Sequence, residues 1–544
     1  MTIWFKPIAF MMLVPAFALL NGCGSSQGPG AAPPANQVPA ITTTGAAAAR
    51  PAAGDVAVFD VRSFGAIGDG TTIDTAAINK AIDAASSAGG GTVRFTAGTY
   101  LSASVHLKSN ITLDIGRGAV LLAAAPTQAR YDAPEPNSAR YQDFGHSHWH
   151  NSLIWGDGLE NVSIQGPGLI WGKGLDKGQD ASGRYRDPPS GTGNKAIALK
   201  NCHNVMLRDF SILHGGHFGI LVTGVDNMTI DNVKIDTNRD GMDIDCCRNV
   251  RVTQCSVNSP WDDGICPKTT DALGTVRPLE NLTIDNCFVT GGLIEGTLID
   301  GTFKRAPAKY AGRNGRIKLG TESDGDFKNI TISNCVFDDT GGIALESVDG
   351  GTIENVTISN IAMRDICNSP IFIRLGSRLR GPNNPAVGAI RHVNISDIVV
   401  IGGDQRLGSI ISGVPGHPVQ DIHISNMQIL QNGGGTQQEA AAKPPEKEKD
   451  YPDPGMFGAM PSYGFYIRHA TGMQFTNVQV LTQKPDPRPA FVLDDVQGAD
   501  FQHVTWQAGA AGSAFSLQNV TNFDAILCPA LPDTRIKQID SQQF

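Results

Sequence analysis

One short unit returns eight times between residues 202 and 429: CHNVMLRDFSI, VDNMTIDNVKI, CRNVRVTQCSV, LENLTIDNCFV, FKNITISNCVF, TIENVTISNIA, IRHVNISDIVV and VQDIHISNMQI. Each opens on Asn or a polar stand-in at a turn and runs on through alternating apolar and polar residues, the pattern of a half-buried strand. The first three asparagines, Asn204, Asn227 and Asn249, lie 23 and 22 residues apart, and later intervals lengthen. A period of that size with one Asn turn per unit marks a solenoid. Leucine-rich repeats share the period, but their Leu-x-x-Leu-x-Leu framework is absent. Strands of Val, Ile and Thr with no helix per unit predict an all-β, single-domain parallel β-helix, in which strand stacks on strand. The 63 glycines suit a chain with many turns. Lengthened intervals predict loops inserted on one face, where binding residues gather.

The solenoid is expected over residues 55–544, opened by one short capping helix from Asp74 to Ala85, where apolar residues recur at helical spacing before a Gly run. Ahead of it, Lys6, an apolar run from Ile8 to Leu20 and the ending Leu20-Asn21-Gly22-Cys23 read as an export signal over 1–22. That ending resembles the lipobox of bacterial lipoproteins, which implies acylation of Cys23, a flexible Gly/Ser/Pro/Ala tether over 23–54 and a lipid anchor at the outer membrane, on its periplasmic or surface side. Nine cysteines remain after Cys23. Four of them, Cys202, Cys255, Cys287 and Cys335, close similar segments, which predicts a buried thiol ladder with few disulfides. Cys246-Cys247 is not metal-ligand spacing. A net charge of −9 argues against a nucleic-acid partner, though a local basic pocket can still take an acidic sugar. A capped solenoid needs no partner to complete its core, so a monomer is expected. The polar segment Asn432–Asp450 reads as a mobile insertion, and the aromatic stretch after it as a cover for a cleft or a packed wall.

Five acids fall within two consecutive units: Asp240, Asp243 and Asp245 in NRDGMDID, and Asp262 and Asp263 in SPWDDGICPK. In a coil of this length Asp240 lies beneath the Asp262/Asp263 pair. Stacked acids repel, so the cluster needs compensation. It reads as a calcium site, a solvated ladder or a catalytic group. Arg316 and Lys318 in GRIKLG are two residues apart, on one strand face, and can hold a sugar carboxylate beside the acids or form a surface ion pair. Lys268, His214 and His217 read as substrate contacts or as packing. Arg374, Arg378 and Arg380 read as a basic patch for an anionic sugar or as a solvated face.

Together these residues resemble glycoside hydrolase family 28, the polygalacturonases and rhamnogalacturonases, with NRD (238–240), DD (262–263) and RIK (316–318) in the family's order. The similarity runs from about Val56 to the end. It implies a right-handed parallel β-helix and inverting hydrolysis of an anionic pectin-type polysaccharide, polygalacturonan or rhamnogalacturonan, without cofactor or metal. Asp262 would be the general acid, Asp240 and Asp263 would activate water, and Arg316 and Lys318 would bind the sugar. Where the family has Gly-His-Gly, spacing places Ile294-Glu295-Gly296, so the histidine is missing. Glu295 takes its role, extends the acid cluster or is structural, and plain polygalacturonan becomes doubtful as substrate. Two other readings stay open: a calcium-dependent lyase on the same architecture, and a non-catalytic carbohydrate-binding β-helix.

Overall fold

Each repeat folds as one coil of three short strands, and each strand pairs in parallel with its counterpart one coil on. In the central coils the columns are Ile220, Met242 and Ile265; Met228, Val250 and Leu282; and Ile235, Val257 and Val289. Connections between parallel strands close right-handed, and the chain is a right-handed parallel β-helix. The computed structural model describes residues 57–136, 146–180, 186, 188–307, 313–403, 406–507 and 513–544. Cys23, the signal over 1–22 and the tether over 23–54 lie outside the described residues.

The Asn period has a backbone cause. Asn161, Asn204, Asn227, Asn249, Asn281, Asn329 and Asn355 all turn the chain at φ between 55 and 59°. Asn tolerates that left-handed region better than other residues with a Cβ. Stacked coils also let each carboxamide donate to the one below: Asn249 to Asn227 at 3.1 Å, Asn281 to Asn249 at 3.0 Å, Asn329 to Asn281 at 3.1 Å. Asn249→Val removes both ladder bonds and forces a β-branched residue to positive φ, so it is expected to lower stability by about 2 kcal/mol. A urea midpoint equal to wild type would show that the ladder is ornamental.

The interior is a continuous column of apolar side chains, with Met242, Ile244, Val250, Val252 and Val257 fully buried. All nine cysteines among the described residues are unpaired and all but Cys367 are buried, but the four expected in one ladder do not share a column. Cys202 and Cys247 stand just ahead of the middle strands two coils apart, whereas Cys255, Cys287 and Cys335 stand one above the other ahead of the third strands. Their Sγ–H groups point back to carbonyls two residues earlier, at 3.1–3.2 Å in the second column.

Both ends of the stack are closed. The expected helix runs Thr75–Ser87 and buries Ile78, Ala81, Ile82 and Ala85 against the first coil. At the other end Thr534–Gln543 pairs antiparallel with Phe515–Ile526 and stops the parallel ladder.

The insertion before residue 450 is held where composition predicts mobility. Arg374, 1% exposed, donates to the carbonyls of Glu446 at 2.8 Å and Lys447 at 3.2 Å, and Arg468 to those of Pro444 and Pro445 at 2.8 and 3.0 Å. Low apolar content says nothing about backbone carbonyls, and two buried guanidiniums need acceptors. The basic patch is corrected with it. Burial pushes Arg374 down to about 10, Arg378 pairs with Asp349, and Arg380 donates to Glu322 at 3.1 Å.

Candidate active site

Four consecutive strands of one column carry the site: Asp240–Asp245, Ile265–Lys268, Ile317–Leu319 and Ile343–Ser347. Met242, Ile265, Ile317 and Ile343 stack in register and face inward. The residues just before them sit at the entry of each strand, on the outer rim of the coil. Gly241 N–H donates to Asp263 O at 2.9 Å, and Gly264 N–H to Arg316 O at 2.8 Å. Those bonds set Asp240 under Asp263, and Asp263 under Arg316. Gly241 allows the close stacking, since a Cβ there would stand 2.4 Å from Gly264 O.

The three acids converge: one oxygen each from Asp240, Asp262 and Asp263 lies within 4.8 Å of the others. Their surroundings differ. The side chain of Asp263 is fully buried, with Arg316 Nε at 2.9 Å and Lys318 Nζ at 2.5 Å. Burial alone would push its carboxyl up, but those two cations outweigh it and hold it well below the usual carboxylate range. Asp240 has only the more distant Arg239, its Nη2 at 4.0 Å. Burial, then the charges of Asp262 and Asp243, push it far up. The Asp262 side chain is 20% exposed, against 5% for Asp240, so it is the member that an incoming ligand reaches.

Arg239, the middle residue of NRD, was not picked out from the sequence, yet its Nη1 stands 2.5 Å from Asp262. Its Nη2 donates to His217 Nε2 at 2.9 Å. An arginine only donates, so that nitrogen of His217 is unprotonated. Burial and the Arg239 charge hold the imidazole well below its usual range. His217 is 1% exposed and stacks on Phe218 at 4.3 Å, where it positions Arg239. His214 is exposed, with its Nδ1 3.5 Å from Trp171 Nε1.

Four residues expected at the sugar, Lys268, Arg316, Lys318 and Glu295, are each paired with a charge of the chain itself. Lys268 is 4% exposed and lies 3.1 Å from Glu322 and 3.7 Å from Asp243, so it neutralises the acids under the site. Arg316 and Lys318 likewise spend their charges on Asp263. Glu295 belongs to an exposed antiparallel hairpin, Leu293–Glu295 with Lys304–Arg305, and pairs with Lys304 at 2.9 Å. A neutral side chain that does donate to the acid trio is Asn314, whose Nδ2 reaches Asp263 Oδ1 at 3.3 Å. Its position just before RIK, in the long unpatterned insertion 291–315, left no periodic signal to find it by.

Asp243 and Asp245 sit apart from the trio. Asp243 meets His146 at 3.2 Å, and Asp245 accepts from Thr270 N–H at 2.8 Å and its hydroxyl at 2.6 Å. On the far side, Glu346 is buried 3.8 Å from Arg316, and burial pushes it up to about 7. The aromatic stretch reaches the site at its start and packs the wall behind. Tyr451 lies over Lys318 at 6.0 Å, Asp453 is 3.7 Å from Arg316, and Phe457 and Met460 join a buried cluster. The acid spacing could admit a cation, but Asp262 and Asp263 already face three protein cations, so the set fits a divalent metal poorly.

Comparison with known proteins agrees with this architecture. Residues 58–266 match the family model described as rhamnogalacturonase A/epimerase, pectate lyase-like. A "Probable polygalacturonase" of Vitis vinifera is 25% identical over 394 residues, covering 67% of this chain and 73% of its own. The family 28 exopolygalacturonase structure of Yersinia enterocolitica superposes with a TM-score of 0.53 at 18% identity, over 86% of this chain and 78% of that one. A short stretch of 42 residues, 8% of the chain, is 62% identical to the mannuronan C5-epimerase AlgE1 of Azotobacter vinelandii.

Proposed function

We propose that this chain, a right-handed parallel β-helix protein similar to the family 28 polygalacturonases, hydrolyses glycosidic bonds of a pectin-type polysaccharide with Asp240, Asp262 and Asp263. The observation that carries this reading is the convergence within 4.8 Å of three carboxyl groups, of which Asp240 is pushed up and Asp263 held down. A single-displacement hydrolysis needs a proton for the leaving oxygen and an acceptor for the proton of the attacking water. In this reading the buried Asp240, whose carboxyl is pushed far up, is the member that stores that proton. Passed to the reachable Asp262, that proton goes to the glycosidic oxygen as the bond to the anomeric carbon breaks. Water attacks the same carbon, and its proton returns to the emptied Asp240, which restores the resting state. Asp263, kept ionised by Arg316 and Lys318, orients the water and stabilises the cationic ring in the transition state.

Two carboxylate oxygens less than 5 Å apart can share one water at about 2.7 Å from each. General separations for inverting sites are larger, roughly 6.5–9.5 Å between carboxyl groups. The stereochemical outcome is therefore the sharpest test of the mechanism. Incubation with homogalacturonan and rhamnogalacturonan oligomers is expected to release new reducing ends, and proton NMR of the first product to show an inverted anomer. A retained anomer would overturn the single displacement. Unsaturated, ultraviolet-absorbing ends would reveal a lyase, and no product from any fraction would leave a binding protein. Export and anchoring through Cys23 belong to the same proposal. Loss of palmitate labelling in Cys23→Ser is the expected check.

A further inference from the structure

We propose that residues 434–451 form a pH-gated strap beside the acid trio, held down through His469 while that ring carries both its protons and free to lift once one of them leaves. This gate stands or falls independently of the chemistry assigned to the trio.

The packing explains why the stretch can move as a unit. It leaves the strand Val419–Gly433 and lies over later strands of the column that carries the site, where Glu346, Arg374, Ser412 and Arg468 stand in register. No residue from 434 to 451 is buried, so apolar burial does not fasten it. At one end Gly433 and Gly434 turn at φ 64 and 84°, a hinge conformation that suits glycine. At the other, Pro452, Pro454 and Phe457 are buried and anchor the chain. The ties between are polar. Arg374 and Arg468 grip the carbonyls of residues 444–447, and Ser377 N–H donates to Glu448 O at 2.7 Å.

His469 is the tie that responds to pH. It and Asp495 occupy the same turn of successive coils, at φ 49 and 56°, so the repeat stacks them and brings Nδ1 to 2.6 Å from Asp495. Its Nε2 lies 3.2 Å from Glu446 of the strap. A carboxylate only accepts, so both contacts are hydrogen bonds only while both ring nitrogens carry protons. When one proton leaves, a lone pair faces a carboxylate and one of the two contacts is lost. The other charges around the ring are Arg468, which meets Glu446 at 3.0 Å, and Asp494, whose carboxyl burial pushes up; the turn below, 413–418, adds His417. The strapped form therefore binds the proton more tightly than the lifted one, and the strap is held at low pH and loosens as pH rises.

The far end of the strap reaches the site. The Tyr451 ring lies 6.0 Å from both Lys318 and Arg378, and just beyond it Asp453 stands 3.7 Å from Arg316. Beneath them Lys318 and Arg316 are 2 and 3% exposed. Lifting Tyr451 opens the sheet face above Lys318.

Proteolysis reads the opening without any substrate. Lys447 and Lys449 are exposed, but a protease must draw several residues around them into its own cleft, so cutting follows the open population. Cleavage by Lys-C at these two sites is compared with that of a free peptide of the same sequence at about pH 5.5 and about pH 8, which bracket the range where histidine changes charge. The ratio removes the protease's own pH dependence. Wild-type protection is expected to fall by about tenfold or more between the two pH values, as one charge-assisted contact is lost. His469→Gln, and Glu446→Gln on the exposed strap, should be cut at the lower pH as fast as wild type at the higher. Equal wild-type protection at both pH values overturns the proposal, as do variants that keep the wild-type step or its low-pH protection.

Discussion

Asp262→Asn is expected to lower reducing-end release by about 10³-fold, within the range that a positioned general acid contributes. The amide keeps the size of the side chain and can still accept from Arg239, but it has no proton to pass on. Folding should be little affected, because Asp262 is the part-exposed member of the trio. The role separates from a merely structural one by leaving group. A substrate whose leaving group needs no proton, such as a nitrophenyl glycoside, should recover most of the lost rate in Asp262→Asn. The same substrate should recover little in Asp240→Asn, which removes the acceptor for the proton of the attacking water. If Asp262→Asn cleaves natural oligomers at the wild-type rate, the assigned chemistry is wrong.

Lys318→Met should carry the largest stability cost at the site, about 3–5 kcal/mol at neutral pH, the usual consequence of removing one partner from a buried ion pair. The sign with pH follows from Asp263. Its carboxyl is held below its unfolded value of roughly 3.9, so its pairing contributes stability above that pH and loses it as pH falls through the folded value. The variant's folded carboxyl titrates higher. Its deficit should therefore be full near neutrality and shrink below about pH 4, where both folded and unfolded chains protonate it. Urea midpoints of wild type and variant at the two pH values measure this. An equal deficit at both would mean that Lys318 matters only as packing. Asp263→Asn should cost less in the Lys318→Met background than in wild type, where it strands Lys318 as well as Arg316.

The β-helix was legible because its cause is local and repeated. Each Asn turn needs positive φ, each strand alternates, and both signals recur at one coil length, so Asn204, Asn227 and Asn249 alone give the stacking period. From that period the meeting of Asp240 with Asp262 and Asp263 also follows, since equivalent positions in a solenoid become vertical neighbours. Where the coil length breaks, local reasoning lost its footing. The insertion 291–315 lies between the acid pair and RIK, and counting along it put Glu295 where the fold puts a solvent-facing hairpin and brings Asn314 to the acids instead.

What the amino-acid order determined by itself was the architecture, the buried thiols and the identity of the acid trio, all consequences of a repeat whose period can be counted. Tertiary structure alone decided which charge answers which. Arg239, Arg316, Lys318 and Lys268 turn inward to carboxylates of their own chain, and the insertion is pinned by Arg374 and Arg468. Such pairings depend on distances of a few ångströms between residues tens of positions apart. Burial then sets their energy, and neither quantity leaves a periodic mark in the sequence.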